Sequence, residues 1–352
     1  MSDVNHSEVP RDGRDGHVIR LGNGPISGIA ASSDGSRLIV ANYGHDSVSF
    51  VDAETWRVVE TVVGLSEPFA VATGAHDTNR AYVSTVSTAY DSIDVIDASS
   101  NTVIATHPLA LNVSDLVVSP DGKYVYASRN GVGDADVAVL DTATGRVDAI
   151  VLPTQRGTTA ECVRVSPDGG RLYVAANGPS GGRLVVIAMH GWHVIDTVEI
   201  GLPIRGVAVS PGGTIAYVAS CAPDWSAVVD VIDTRTAKIT GTRKVGEITG
   251  VLTGLTLSGD GDRAYLVSDD SVTVLCTLTY DVIGSVEVAN EPSCVIESVD
   301  EKYLYIADHS GNITVAPVDP IVGSGAATWE LESRSSAGYV VPELRQYEPA
   351  PA

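Results

Sequence analysis

The chain has 352 residues and a formal net charge of −22, with only four Lys beside eighteen Arg. That balance excludes a nucleic-acid surface, whose phosphates need basic partners, and direct adsorption to an anionic leaflet. It suits solubility or a cationic partner. Apolar residues make up 44% of the chain but include only two Phe and two Met, so Val, Ile, Leu and Ala must fill the interior, and β-branched residues suit pleated sheet.

In chain order, residues 1–16 read as a flexible segment with no basic and apolar leader, so no signal peptide is expected. "HVIRLG" (17–22) reads as a strand. "AASSDGSRLIVAN" from Ala30 then opens a phrase that returns as "VATGAHDTNRAYVST" from Val71 and "VVSPDGKYVYASRN" from Val117. It returns again as "RVSPDGGRLYVAAN" from Arg164, "AVSPGGTIAYVAS" from Ala208, "TLSGDGDRAYLVS" from Thr256 and "IESVDEKYLYIAD" from Ile296. The residue before each turn is Ser32, Thr73, Ser119, Ser166, Ser210, Ser258 and Ser298, at steps of 41, 46, 47, 44, 48 and 40. A period near 44 that fills a chain of this length points to a propeller.

Repeat three shows the unit. "SDLVVS" is apolar at most positions, as an inner strand buried on both faces should be. Pro120-Asp121-Gly122 supplies the turn, "KYVYAS" alternates, and "DVAVLD" leads through "TATGR" to the outer strand "VDAIVL". Asp52, Asp97, Asp141 and Asp233 recur at the end of the third strand. One per unit and about a period apart, they read as turn caps and not as a convergent metal or catalytic set. Six outer strands follow their units directly, and the seventh is missing. "HVIRLG" matches them, so the N-terminus is expected to complete the last unit and close the ring, with "ATWELES" (327–333) as a competing closure. The expected fold is all-β, a seven-bladed propeller of four-stranded antiparallel blades over residues 17–320, with a C-terminal extension at 321–352.

"SPDGKYVYAS", "SPDGGRLYVAAN", "SSDGSRLIVAN" and the "V-x-V-h-D-x-x-T" strand ends (h, an apolar residue) resemble the YVTN-type β-propeller repeat family. No recurring Trp-Asp or Gly-His signature of WD40 repeats is present. The high Arg/Lys ratio and low Phe look actinobacterial, and the chain looks like the cytoplasmic seven-bladed propellers of mycobacteria. That resemblance implies an accessory role in cell-envelope lipid transport. It says much about fold and little about activity.

In a propeller, the loops entering the first strand and joining the second to the third share the face around the channel mouth. That face is expected to carry Tyr43, His45, Glu67, Tyr90, Arg129, Arg156, Glu161, Arg205, Trp225, Glu291 and His309. Two readings follow. The first is a non-catalytic scaffold that binds a protein partner, such as a membrane transporter complex, through Arg129, Arg156, Arg205, Trp225, Tyr43 and Glu291. Arg and Trp are the residue types that anchor interfaces. The alternative is a propeller lactonase-type hydrolase acting on a small sugar lactone, with Glu67, Glu161, Arg205 and His309 at the mouth. The Gly-x-Ser-x-Gly string at Gly178-Pro179-Ser180-Gly181-Gly182 has no helix expected after it and so is no nucleophile elbow, and no phosphate loop is present. His190-Gly-Trp-His193 lacks a third ligand, and "NGVGDAD" (130–136) lacks the closing Glu of a calcium loop, so no metal and no cofactor is expected. Cys162, Cys221, Cys276 and Cys294 sit in four different repeats and read as free thiols of a monomeric cytoplasmic protein. No apolar run is long enough to span a bilayer, so recruitment to the inner membrane would go through a partner.

Overall fold

A computed structural model describes residues 17–319 except 75–78, 88–89, 111, 132, 154, 247 and 249. Seven four-stranded antiparallel sheets follow one another around a central channel. Blade one consists of Ile26–Ala31, Arg37–Asn42, Ser47–Asp52 and Arg57–Val63, from the channel outward. The inner strands of blades two to seven are Val71–Thr73, Asn112–Val118, Thr159–Val165, Ile204–Val209, Leu252–Leu257 and Pro292–Glu297. Alternation places Leu38, Val40 and Val51 of blade one against Tyr305 and Val315 of blade seven. Equivalent apolar layers lie between the other neighbouring blades.

The N-terminal strand closes the ring. His17–Arg20 pairs antiparallel with Asn312–Pro317, His17 opposite Val315 and Arg20 opposite Asn312, and supplies the fourth strand of blade seven. Ile19 is buried in the seam, and the His17 ring stacks on Trp56 of blade one at 4.9 Å. Trp56 in turn meets Tyr303 of blade seven edge-on at 5.3 Å. The competing segment 327–333 lies outside the described residues.

The recurring Ser-x-Asp phrase has one physical job. Ser32 Oγ donates to Asp34 at 2.6 Å and accepts from the Arg37 amide at 3.0 Å, fixing both ends of a five-residue loop. Ser119, Ser166, Ser258 and Ser298 make the same pair of bonds in their blades. In the six blades whose turns are described, the fourth residue is left-handed, near φ +70°, and is Gly35, Gly122, Gly169, Gly213 and Gly261 in five of them. A side chain there crowds the following carbonyl, which is why glycine recurs. Blade seven places Glu301 in that conformation, at φ +60°. In blade two, Thr73 closes the inner strand and donates to Ala31 O, so Gly74, not Thr73, takes the turn serine's place.

These turns consume their carboxylates. The Ser32 hydroxyl and the Ser36 amide hold Asp34 down at about 2, and bonds from Lys123 and Ser119 do the same for Asp121. The third-strand aspartates cap their turns as expected: Asp52 accepts from the Thr55 amide and hydroxyl at 2.7 Å, and Asp141 from the Thr144 amide at 2.8 Å. All of these residues lie at one end of the ring, opposite the channel mouth.

Candidate functional site

At the mouth, each inner strand carries an irregularity that the apolar pattern conceals. In six blades the pairing with the second strand skips one residue near the strand's start: Ser27, Ser114, Glu161, Arg205, Thr253 and Ser293 are the skipped positions. In blade two the Phe69 amide donates to Ser84 O while Ser84 N donates to Ala70 O, so Phe69 stands at the same place. A bulge re-aims the extra side chain. All seven line one cavity of about 690 Å³ at the channel mouth, together with Tyr43 and Glu67. Each ring residue lies five positions before the turn serine, or before Gly74 in blade two. That fixed offset is the sequence signal that finds the ring.

Below the ring the channel narrows. A Cβ on Gly28 would meet Phe69 O at 2.6 Å, and one on Gly206 would meet Leu255 N at 2.6 Å, so glycine lets neighbouring inner strands pack backbone to backbone. Among the described residues, the channel wall beneath contains one ion pair, Asp115 with Arg164. Asp115 also accepts from the Val163 amide at 3.0 Å and Arg164 donates to Val163 O at 2.7 Å, which ties blade three to blade four. Cys162 and Cys294 line the same wall, and burial pushes their thiols up to about 12 and about 11, which suppresses the thiolate a nucleophile needs. All four cysteines are free.

Three of the four groups in the hydrolase reading, Glu67, Glu161 and Arg205, share the mouth cavity. His309 does not. It lies with Glu291 in a separate cleft between blades six and seven, lined also by Asp269, Asp270 and Glu287. Glu161 accepts from Thr159 Oγ1 at 2.6 Å, and Glu67 from Tyr43 Oη at 3.2 Å. The Glu67 charge beside it holds the Tyr43 hydroxyl above its usual range. Among the described residues no group of three or more His, Cys, Asp or Glu is arranged to hold a metal. The loop with Asp134 and Asp136 supplies a partner for Arg129 instead.

Arg129 corrects the docking set. It is 7% exposed, and its guanidinium grips Asp136 through Nε–Oδ1 and Nη2–Oδ2, both at 2.7 Å. It lies one residue before the end of the second strand of blade three, at the position where blades one, two and seven place buried polar residues, Asn42, Thr85 and Asp308. The remaining members of the set are on the mouth face and exposed: Tyr43, Arg156, Arg205, Trp225 and Glu291. Trp225 is 61% exposed in the loop between the second and third strands of blade five, held at φ +66°. Arg156 lies across Gly133, where a Cβ would come within 3.1 Å of its Cγ. Phe69, which sequence reasoning passed over, stands edge-to-face with Tyr43 at 6.5 Å and is 40% exposed.

No protein-family model matches the chain. Among curated proteins, the seven-bladed beta-propeller protein Rv1057 of Mycobacterium tuberculosis is 52% identical over 392 aligned residues, covering 99% of this chain and 100% of that protein. Among solved structures, a chain of Kuenenia stuttgartiensis hydrazine synthase superposes with a TM-score of 0.76 over 90% of this chain and 99% of that one. Its 22% identity speaks to the fold alone.

Proposed function

This chain belongs to the family of the seven-bladed β-propeller protein Rv1057, and from that premise we propose that it is a non-catalytic binding protein whose mouth face docks a protein partner. One observation carries the reading. The turn face spends its carboxylates on repeated loops, whereas the mouth face leaves Tyr43, Phe69, Arg156, Arg205 and Trp225 exposed in loops that differ from blade to blade. Loops displayed on a rigid scaffold are where recognition resides, and aromatic and Arg side chains contribute most per residue at interfaces. The hydrolase reading loses support because His309 stands apart from Glu67, Glu161 and Arg205.

We read the repeats as YVTN-type, on the phrases quoted above, and on that resemblance assign the partner to a cytoplasmic-side membrane complex of cell-envelope lipid transport. Among the described residues no helix is long and apolar enough to cross a membrane, so the partner supplies the membrane attachment. The test is affinity capture from the native cell with mass spectrometry, comparing the natural chain with Arg156→Glu/Trp225→Ala. We expect the variant to lose one specific protein while keeping its melting temperature. Capture unchanged by the variant, or hydrolysis of a sugar lactone abolished by Glu161→Gln, would refute the reading.

A further inference from the structure

Opposite charges at equivalent positions of neighbouring strands ordinarily meet. Glu161 and Arg205 hold the same bulge position in blades four and five, and both line the mouth cavity. They do not pair. Glu161 is turned to the hydroxyl of Thr159 on its own strand. Arg205 is exposed and has no hydrogen bond or ion pair with a described residue. Asp115 and Arg164 beneath them pair with each other, so among the described residues the channel wall leaves no unpaired charge for a ligand that goes deeper.

The rest of the ring narrows the ligand. Ser27, Ser114, Thr253 and Ser293 add hydroxyls. Across the channel from blades four and five, Phe69 and Tyr43 form an aromatic wall. A simple anion would find Arg205 but face Glu161 and Glu67. A simple cation would find the carboxylates but face Arg205. A molecule with an ammonium and a carboxylate satisfies both, and an apolar substituent then covers the aromatic wall. We propose that the mouth ring binds a small zwitterion with an apolar side chain, its carboxylate on Arg205, its ammonium on Glu161 and its side chain toward Phe69 and Tyr43. Free amino acids and short peptides share this chemistry and differ in the separation of their charges.

Isothermal titration of the full chain tests it with L-phenylalanine and leucyl-phenylalanine as the two probes. N-acetylphenylalanine, which lacks the ammonium, phenylalanine amide, which lacks the carboxylate, and gluconate serve as comparisons. At least one zwitterion should bind saturably at one site per chain. Blocking either charge should weaken it about tenfold or more, the worth of one charge-assisted hydrogen bond. Arg205→Gln and Glu161→Gln should produce the same loss with unchanged melting temperature, and His309→Ala, outside the cavity, should bind as the natural chain does. Whichever probe binds tighter fixes the charge separation. The proposal fails if neither zwitterion gives a saturable signal up to about 10 mM. It also fails if N-acetylphenylalanine or gluconate binds equally well. The assay contains no protein partner, so failed capture from cells leaves its outcome unaffected.

Discussion

On the turn face, Asp34, Asp121, Asp260 and Asp300 each accept a serine hydroxyl two residues earlier and the backbone amide two residues later. On the mouth face, the one position that recurs geometrically is filled by Ser, Phe, Ser, Glu, Arg, Thr and Ser in turn. The same strands run between the two faces, so the difference does not come from the fold's geometry. A turn that must reverse the chain in a few residues has one good solution, and five of the seven units converge on it. A bulge needs only an extra residue and leaves its side chain free. Repetition therefore marks what holds the ring together, and departure from it marks what the ring presents.

The comparison presumes a closed ring, and opening it has the largest expected effect. Deleting residues 1–20 removes the fourth strand of blade seven, with buried Ile19 and the His17–Trp56 stack. Loss of a buried Ile alone costs about 2–5 kcal/mol, and an exposed edge strand invites aggregation. Thermal unfolding should begin at least about 5 °C lower. A deletion variant that melts with the natural chain would show that closure lies elsewhere.

Next in size is a single turn. Ser166→Ala removes the bond to Asp168 and the acceptor for the Arg171 amide. The cost should be about 1–3 kcal/mol in denaturant titration, with the mouth cavity's binding unchanged. A loss of binding alongside stability would dissolve the separation between the faces.

Acid should act on the turn face in the same direction. Asp34 and Asp121 have folded values of about 2, below the ordinary 3.8. A depressed carboxylate contributes stability that is full above its unfolded value and disappears as pH falls through the folded one. The melting temperature should therefore hold steady down to about pH 4 and decline toward pH 2. Ser119→Ala, which removes a bond to Asp121, should flatten that decline. An equally steep decline in the variant would place the acid sensitivity elsewhere.

The smallest effect is a gain. Glu301→Gly places glycine at the one left-handed position of the described serine turns that lacks it. Relieved strain of about 1 kcal/mol, less the extra backbone entropy of glycine, should leave about 0.5 kcal/mol of added stability. The 3.9 Å contact with Arg263 that disappears is partly exposed and worth little. A destabilised variant would mean that the Glu301 side chain contributes more than its conformation costs.

The turn face was legible in the sequence because its chemistry is local: a serine, an aspartate two residues on and a glycine after it bond among themselves. The closing strand was legible because "HVIRLG" repeats an outer-strand pattern. The seven-membered ring was not, since a one-residue skip in pairing leaves the apolar pattern of an inner strand intact, and Glu161 and Arg205 read as charges just before or at the start of inner strands with nothing to show the bulge that aims them. Arg129 was misplaced because its partner, Asp136, lies across a loop that looks like an exposed turn. His309 and Glu291 lie on the mouth face but outside the mouth cavity, because a shared face does not fix distance from the channel axis.

The central claim, that the mouth face recognises and the turn face supports, is tested most directly by one matched experiment. Melting temperature and partner capture are measured side by side for Arg156→Glu/Trp225→Ala and for Ser166→Ala. The account predicts that the mouth variant keeps its stability, within about 0.5 kcal/mol per exposed substitution, and loses the partner. It predicts that the turn variant loses stability and keeps the partner. The reverse pattern, or both properties falling together in both variants, would contradict it.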